Sequence, residues 1–154
     1  MTTSVSGFGD IPETSVVIRP PGQSYTCKEH AASLNIQNDV SVDIAFVHLD
    51  GGFFPDGNAC DFSISSQAQP PYGFLLELKG KDIPHAVEQL GQTLERLKNG
   101  GIQVCYRKAA VVSSGFRMPS GMWQKCQTRF FAAHRVHLRR HSNNAKITFS
   151  QASG

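Results

Sequence analysis

Phe74-Leu75-Leu76-Glu77-Leu78-Lys79-Gly80 is the stretch on which the fold turns, because two opposite charges sit two residues apart at the end of an apolar run. Its length and its leucines predict a strand, and alternation along a strand sends Glu77 and Lys79 to one face and Leu76 and Leu78 to the other. The mostly apolar run from Tyr72 to Lys79 predicts a central strand covered on both faces. A charge carried into a covered face is costly unless it is paired or holds a metal, so Glu77 and Lys79 form either an ion pair or a site.

The flanking residues place this strand in an order of elements. Upstream, Val40-Ser41-Val42-Asp43-Ile44-Ala45-Phe46-Val47 alternates and is β-branched, and it ends at Asp50-Gly51-Gly52. A second turn, Pro55-Asp56-Gly57-Asn58, precedes another alternating run from Ala59 to Ser65, so the two runs read as a hairpin. Pro70-Pro71 then separates them from the central strand. Downstream, Asp82 caps, Pro84 suits a first turn, and Ile83, Ala86, Val87, Leu90, Leu94 and Leu97 recur at helical spacing up to Gly100-Gly101. A helix over residues 83–98 follows. It also carries a polar stripe of His85, Gln89, Gln92 and Arg96.

Residues 102–112 read as a fourth strand, and residues 119–132 as a second helix with Met122, Trp123, Cys126 and Phe130 on an apolar side and Lys125 and Arg129 on a basic one. Residues 136–141 and 146–149 read as a closing hairpin about Ser142-Asn143-Asn144. At the other end, residues 26–34 have a cap and good helix formers and predict a short helix. Residues 1–24, punctuated by glycine and proline, read as a flexible N-terminal arm with one short strand near residues 15–19, and residues 25–154 as a single domain. The fold class expected is α/β, a sandwich with a mixed central sheet flanked by helices.

The charge is segregated. All 12 Asp and Glu lie at or before Glu95, against four Lys or Arg, a net of −8; residues 96–154 hold 11 Lys or Arg and no acid, a net of +11, and together these give the overall +3. A basic part of that length suits a surface that faces a polyanion, although a solvated face without a partner has the same composition. No apolar run approaches the roughly 20 residues of a membrane helix, and the first residues lack a basic segment followed by an apolar block, so no membrane contact and a cytoplasmic address are expected. Cys27, Cys60, Cys105 and Cys126 are scattered and suggest neither zinc nor a disulfide framework.

Asp61 opens the second strand, 16 residues before Glu77, and if the two strands pair, then Asp61, Glu77 and Lys79 converge at one end of the sheet. Two carboxylates suit a Mg²⁺ that keeps most of its waters, and a neighbouring lysine orients or deprotonates water and stabilises developing negative charge. That is phosphodiester hydrolysis chemistry. With the apolar strand before Glu77-Leu78-Lys79 and the amphipathic helix after it, these residues resemble the PD-(D/E)xK nuclease superfamily, which includes restriction endonucleases and Holliday junction resolvases, over residues 26–112.

The resemblance implies a restriction-endonuclease-like three-layer core built as helix, three strands, helix, strand. It implies Mg²⁺ or Mn²⁺ held by Asp61, Glu77 and the Leu78 carbonyl, Lys79 as the catalytic lysine, Gln89 as an accessory site residue, and Glu29 as the match to an acid that some members carry on their first helix. Cys60 stands where the family has proline, and Pro55-Asp56 supplies the literal dipeptide instead. Asp61 is preferred because Asp56 sits in reverse-turn chemistry. Arg117, Lys125, Arg129, Arg135, Arg139 and Arg140 are the expected phosphate contacts, with DNA ahead of RNA and with specificity supplied by substrate structure, a homodimer or a partner protein.

Two other classes share the pattern: a nucleic-acid-binding module without catalysis, and an interaction protein whose basic face meets an acidic partner. The bland reading is an exposed strand-end ion pair of Glu77 and Lys79, worth about 0–1 kcal/mol, beside a surface Asp61 and a wet Gln89. Trp123 and Phe130 are expected in the core.

Overall fold

The computed structural model describes residues 1–79, 82–115 and 118–154, with Lys79 described by its backbone. The central element is a six-stranded sheet in the order β10-β9-β8-β7-β6-β3. The middle strand is β8 (Tyr72–Lys79), paired antiparallel with β7 (Phe62–Ser66) and parallel with β9 (Cys105–Ser113). Strand β6 (Ile44–His48) pairs antiparallel with β7, β3 (Val16–Arg19) antiparallel with β6, and β10 (His137–Ser142) parallel with β9. Parallel pairing of β8 and β9 needs a crossover, and α1 (Ile83–Asn99) supplies it.

Each face of the sheet buries a separate core. Leu75 of β8, Ala45 and Val47 of β6 and Ala109 and Val111 of β9 pack beneath α1 and α2 (Ser120–His134), through Ala86, Leu90, Trp123 and Phe130. Phe74, Leu76 and Leu78 turn the other way, onto a three-stranded sheet formed by β4 (Ser24–Glu29), β5 (Ala32–Gln37) and β11 (Ala145–Thr148), and onto α3 (Phe149–Ser153). The molecule is α/β with a mixed central sheet, as its sequence predicts.

Helix α1 starts where its chemistry dictates. The Asp82 carboxylate accepts the His85 amide at 3.1 Å, Pro84 occupies the first turn, and the chain leaves the helix at Gly100.

Four expectations need correction. Residues 26–34 form no helix: they lie in β4 and β5, joined through His30 at φ 53°, and the burial of Cys27, Leu34 and Ile36 follows the two-residue period of a strand. The apolar seam against the large sheet overrides the helix propensity of Lys28, Glu29 and Ala31. The second face of the central sheet is therefore covered chiefly by strands.

The closing hairpin does not form. Strand β10 joins β9, while β11 joins β5 in the other sheet. Asn143 and Asn144 instead bind the β4–β5 turn, with Asn143 Oδ1 accepting the Ser33 amide at 2.9 Å and Asn143 Nδ2 donating to the Ala31 carbonyl at 3.0 Å.

Residues 2–19 are docked on the domain. Strand β1 (Thr2–Val5) pairs with β2 (Gly9–Pro12), Val5 and Ile11 are buried in the helix-side core, and the strand expected near residues 15–19 is β3 at the sheet edge. Met122, placed on the apolar side of α2 by its spacing, is 54% exposed.

Candidate functional site

The register of β7 and β8 brings the two acids together. Phe62 pairs with Leu76, so Asp61, one residue earlier, stands opposite Glu77, one residue later. Both lie on the face beneath α1, where Leu75 and Cys60 contribute to the core, and both are buried. The Leu78 amide donates to Asp61 Oδ2 at 2.7 Å, and the Asp61 amide donates to Glu77 Oε1 at 3.2 Å. Each carboxylate is thus fixed by the main chain of the other strand. The Asp61 carbonyl in turn accepts the Leu49 amide at 2.8 Å, which ties the entrance of β7 to the end of β6.

Helix α1 braces the same point. Thr93, fully buried, donates its hydroxyl to the Gln89 carbonyl at 2.7 Å and accepts the Cys60 amide at 2.8 Å. Sequence reasoning missed Thr93, although it leaves a signal: it is the hydroxyl residue among Ala86, Leu90 and Leu97 on the apolar stripe. Gln89 itself is half-buried, and among the described residues no hydrogen bond joins its side chain to Asp61 or Glu77. Its link to the site runs through its main chain.

Burial pushes the Asp61 carboxyl above the usual carboxylate range; hydrogen bonds from Glu77 and from the Leu78 amide oppose this, and the charges of Glu29 and Asp50 add to it. A hydrogen bond between two carboxyl groups requires a proton on one of them, so this pair holds less than its full charge unless a cation approaches. Glu29, expected on a helix, sits at the end of β4 and acts on Asp61 from there. Asp50 was not anticipated.

As a donor set for a divalent metal the pair fits the hard-cation pattern: carboxylate oxygens for one or two positions, with waters and substrate phosphate completing the shell. The N–H and C=O of one strand residue point to the same side, so the Leu78 carbonyl turns toward Asp61 with its amide. Among the described residues no three His, Cys, Asp or Glu side chains stand together as a ligand set, so Asp61, Glu77 and a carbonyl are what the chain offers.

Asp56 is held elsewhere. Its carboxylate pairs with Arg96 at 3.2 Å, and the same guanidinium donates to the Gly57 and Asn58 carbonyls and lies 3.9 Å from the centre of the Phe54 ring. Arg117 and the side chain of Lys79 lie outside the described residues; the Lys79 backbone ends β8 opposite Ser113.

The remaining basic candidates are exposed and divide by position. Lys125 and Arg129 project from α2, and Arg135, in the left-handed conformation at φ 58°, ends it. Arg139 and Arg140 follow each other on β10. Arg140 lies beside the buried Trp123, with its guanidinium 5.7 Å from the ring centre, so it is on the helix face. Arg139 turns to the opposite face, where its charge helps to hold the Lys108 ammonium and the His141 imidazole below their ordinary pKa values, burial being the larger cause for each. Trp123 and Phe130 are core residues, as expected.

No helix among the described residues is long and apolar enough to cross a membrane. Comparison with protein-family models, curated proteins and solved structures finds no match to this chain.

Proposed function

We propose that this chain is a metal-dependent nuclease, with a restriction-endonuclease-like arrangement of the PD-(D/E)xK kind, that hydrolyses phosphodiester bonds in nucleic acid, DNA ahead of RNA. The observation that carries the reading is the opposition of two buried acids, Asp61 and Glu77, each hydrogen-bonded to the other's strand, at the end where β8 leads into Lys79. A structural ion pair of Glu77 and Lys79 has no need of a second buried carboxylate at this point, and burying one is costly.

The order of elements supports it. A meander of β6, β7 and β8, a crossover helix α1 and a parallel β9 is the order expected after the first helix of that core, with the acids at the start of its second strand and the end of its third. The first helix is replaced here by the β4–β5 hairpin, which still delivers Glu29 to the neighbourhood of Asp61.

Asp61, Glu77 and the Leu78 carbonyl would hold Mg²⁺ or Mn²⁺, which when bound neutralises phosphate charge and makes a water acidic. The chain's own part is positional. Main-chain amides fix both carboxylates, Thr93 locks the entrance to Asp61, and the core over β8 excludes bulk water from the inner side of the pair. Lys79 is assigned to orient or deprotonate the attacking water.

Purified protein supplied with Mg²⁺ or Mn²⁺ should cut at least one of single-stranded, duplex or branched substrates. Asp61→Ala, Glu77→Ala and Lys79→Ala should each reduce the rate by about 10²-fold or more. Cleavage by these variants at the wild-type rate sinks the proposal.

A second reading has its own observation. The mutual hydrogen bond of the two carboxyls suits a site that holds a proton where an active enzyme holds metal, as in a nucleic-acid-binding module without catalysis. Salt-sensitive binding without cleavage, unchanged by Asp61→Ala, favours that module.

A further inference from the structure

The strand register extends the row of acids across the sheet. Glu77 pairs with Val111, and Val111 pairs with Arg140, so Asp61, Glu77, Val111 and Arg140 lie in one rank across β7, β8, β9 and β10. Residues directly opposite on neighbouring strands share a face. Here it is the face under the helices: Val111 and Leu138 lie in the helix-side core, and Arg140 lies against Trp123 of α2.

Neighbouring strands are about 4.8 Å apart, which sets the Arg140 backbone about 10 Å from that of Glu77 along this rank. A DNA strand advances about 3.4 Å along its axis per phosphate, so a phosphate held by Arg140 lies within about three nucleotides of one held at the acid pair.

We propose that Arg140, braced against Trp123, binds a backbone phosphate of the DNA strand presented to Asp61 and Glu77 and sets that strand's position over the site. This rests on the nuclease reading and adds to it a direction, from β7 toward β10 on the helix face. Guanidinium suits the task because its planar fork engages two phosphate oxygens at once, and an indole face restrains it in an exposed setting. The buried Trp123 is thereby given a use beyond core packing.

Arg139 provides an internal comparison. It has the same charge one residue away, yet it pairs with Ala110 and faces the opposite core together with Lys108 and His141. A merely electrostatic contribution of β10 would not distinguish the two arginines.

The test is fluorescence anisotropy with a fluorescein-labelled DNA duplex and a single strand of the same sequence, with Ca²⁺ in place of Mg²⁺ to hold back cleavage. Arg140→Gln, which keeps a stem over Trp123, should weaken binding at least tenfold, and Arg139→Gln severalfold less. With Mg²⁺, Arg140→Gln should raise KM more than it lowers kcat.

If melting curves show Arg140→Gln to be unfolded, Arg140→Lys against Arg139→Lys makes the same comparison, because only a site that uses the fork loses affinity when charge is retained. Equal or greater loss at Arg139 overturns the proposal, as does wild-type binding confined to RNA or absent altogether. If the wild type binds DNA but cleaves nothing with Mg²⁺ or Mn²⁺, the nuclease reading fails while the contrast between the two arginines still decides whether DNA crosses this face.

Discussion

Asp61 is a carboxylate whose burial pushes its pKa up, and this has a definite consequence for stability. A carboxyl with a folded pKa above its unfolded value binds its proton more tightly when folded, so its contribution is complete below the ordinary carboxylate range and is lost as pH rises through the raised folded pKa. Asp61→Asn removes that dependence while leaving an oxygen to accept the Leu78 amide. Thermal melting from pH 4 to 8 without metal should therefore show the wild type losing stability relative to Asp61→Asn as pH rises. Added Mg²⁺ should restore the wild type at pH 8, raising its Tm well above any change in the variant. Thr93 offers a second check on the same corner. Thr93→Val strands the buried Cys60 amide and should cost about 1–3 kcal/mol in urea unfolding, whereas Thr93→Ser should recover most of it.

Helices α1 and α2 meet where glycine permits it. A Cβ at Gly91 would stand 2.8 Å from Nε2 of His134, whose ring lies against Phe130 with centroids 4.7 Å apart and whose Nδ1 is 3.7 Å from Glu95 Oε1. The helix propensity gained by alanine is up to about 1 kcal/mol; the clash opposes it by about 1–3 kcal/mol. Gly91→Ala should lower Tm in the wild type and raise it in a His134→Ala background, and a double-mutant cycle would measure the coupling. Differences of this kind explain what was legible element by element. Strand β8 and helix α1 could be read because their periodicity, cap and breakers are local, and the segment from Phe74 to Leu78 could hardly form anything but a covered strand. Residues 26–34 were misread because lysine, glutamate and alanine favour a helix in isolation, and only packing against the large sheet favours β4 and β5. Around Asn144, at φ 63°, the turn was read correctly; the destination of the strands beyond it was not.

The whole molecule keeps its acids before Glu95 and carries an acid-free remainder, and folding sets much of that remainder out on α2 and β10. Lys125 and Arg129, four residues apart and both exposed, lie on one side of α2. If this side grips a nucleic-acid backbone, the logarithm of affinity should fall linearly with the logarithm of salt, by about 0.9 per phosphate contacted, and Lys125→Ala with Arg129→Ala should lower that slope by about two. An unchanged slope would remove α2 from the interface.

The sequence by itself determined the α/β class, the covered strand that ends in Glu77 and Lys79, the crossover helix and the charge segregation. These depend on residue type and on periods of two or about 3.6, which any short segment carries within itself. Only the tertiary structure decided that Asp61 faces Glu77, that Thr93 pins the entrance to the site, that the last two strands part into different sheets and that Arg139 and Arg140 face opposite cores. Register across a sheet is chosen by packing among segments far apart in the chain, and a shift of one residue would exchange every face, so no local pattern can carry it.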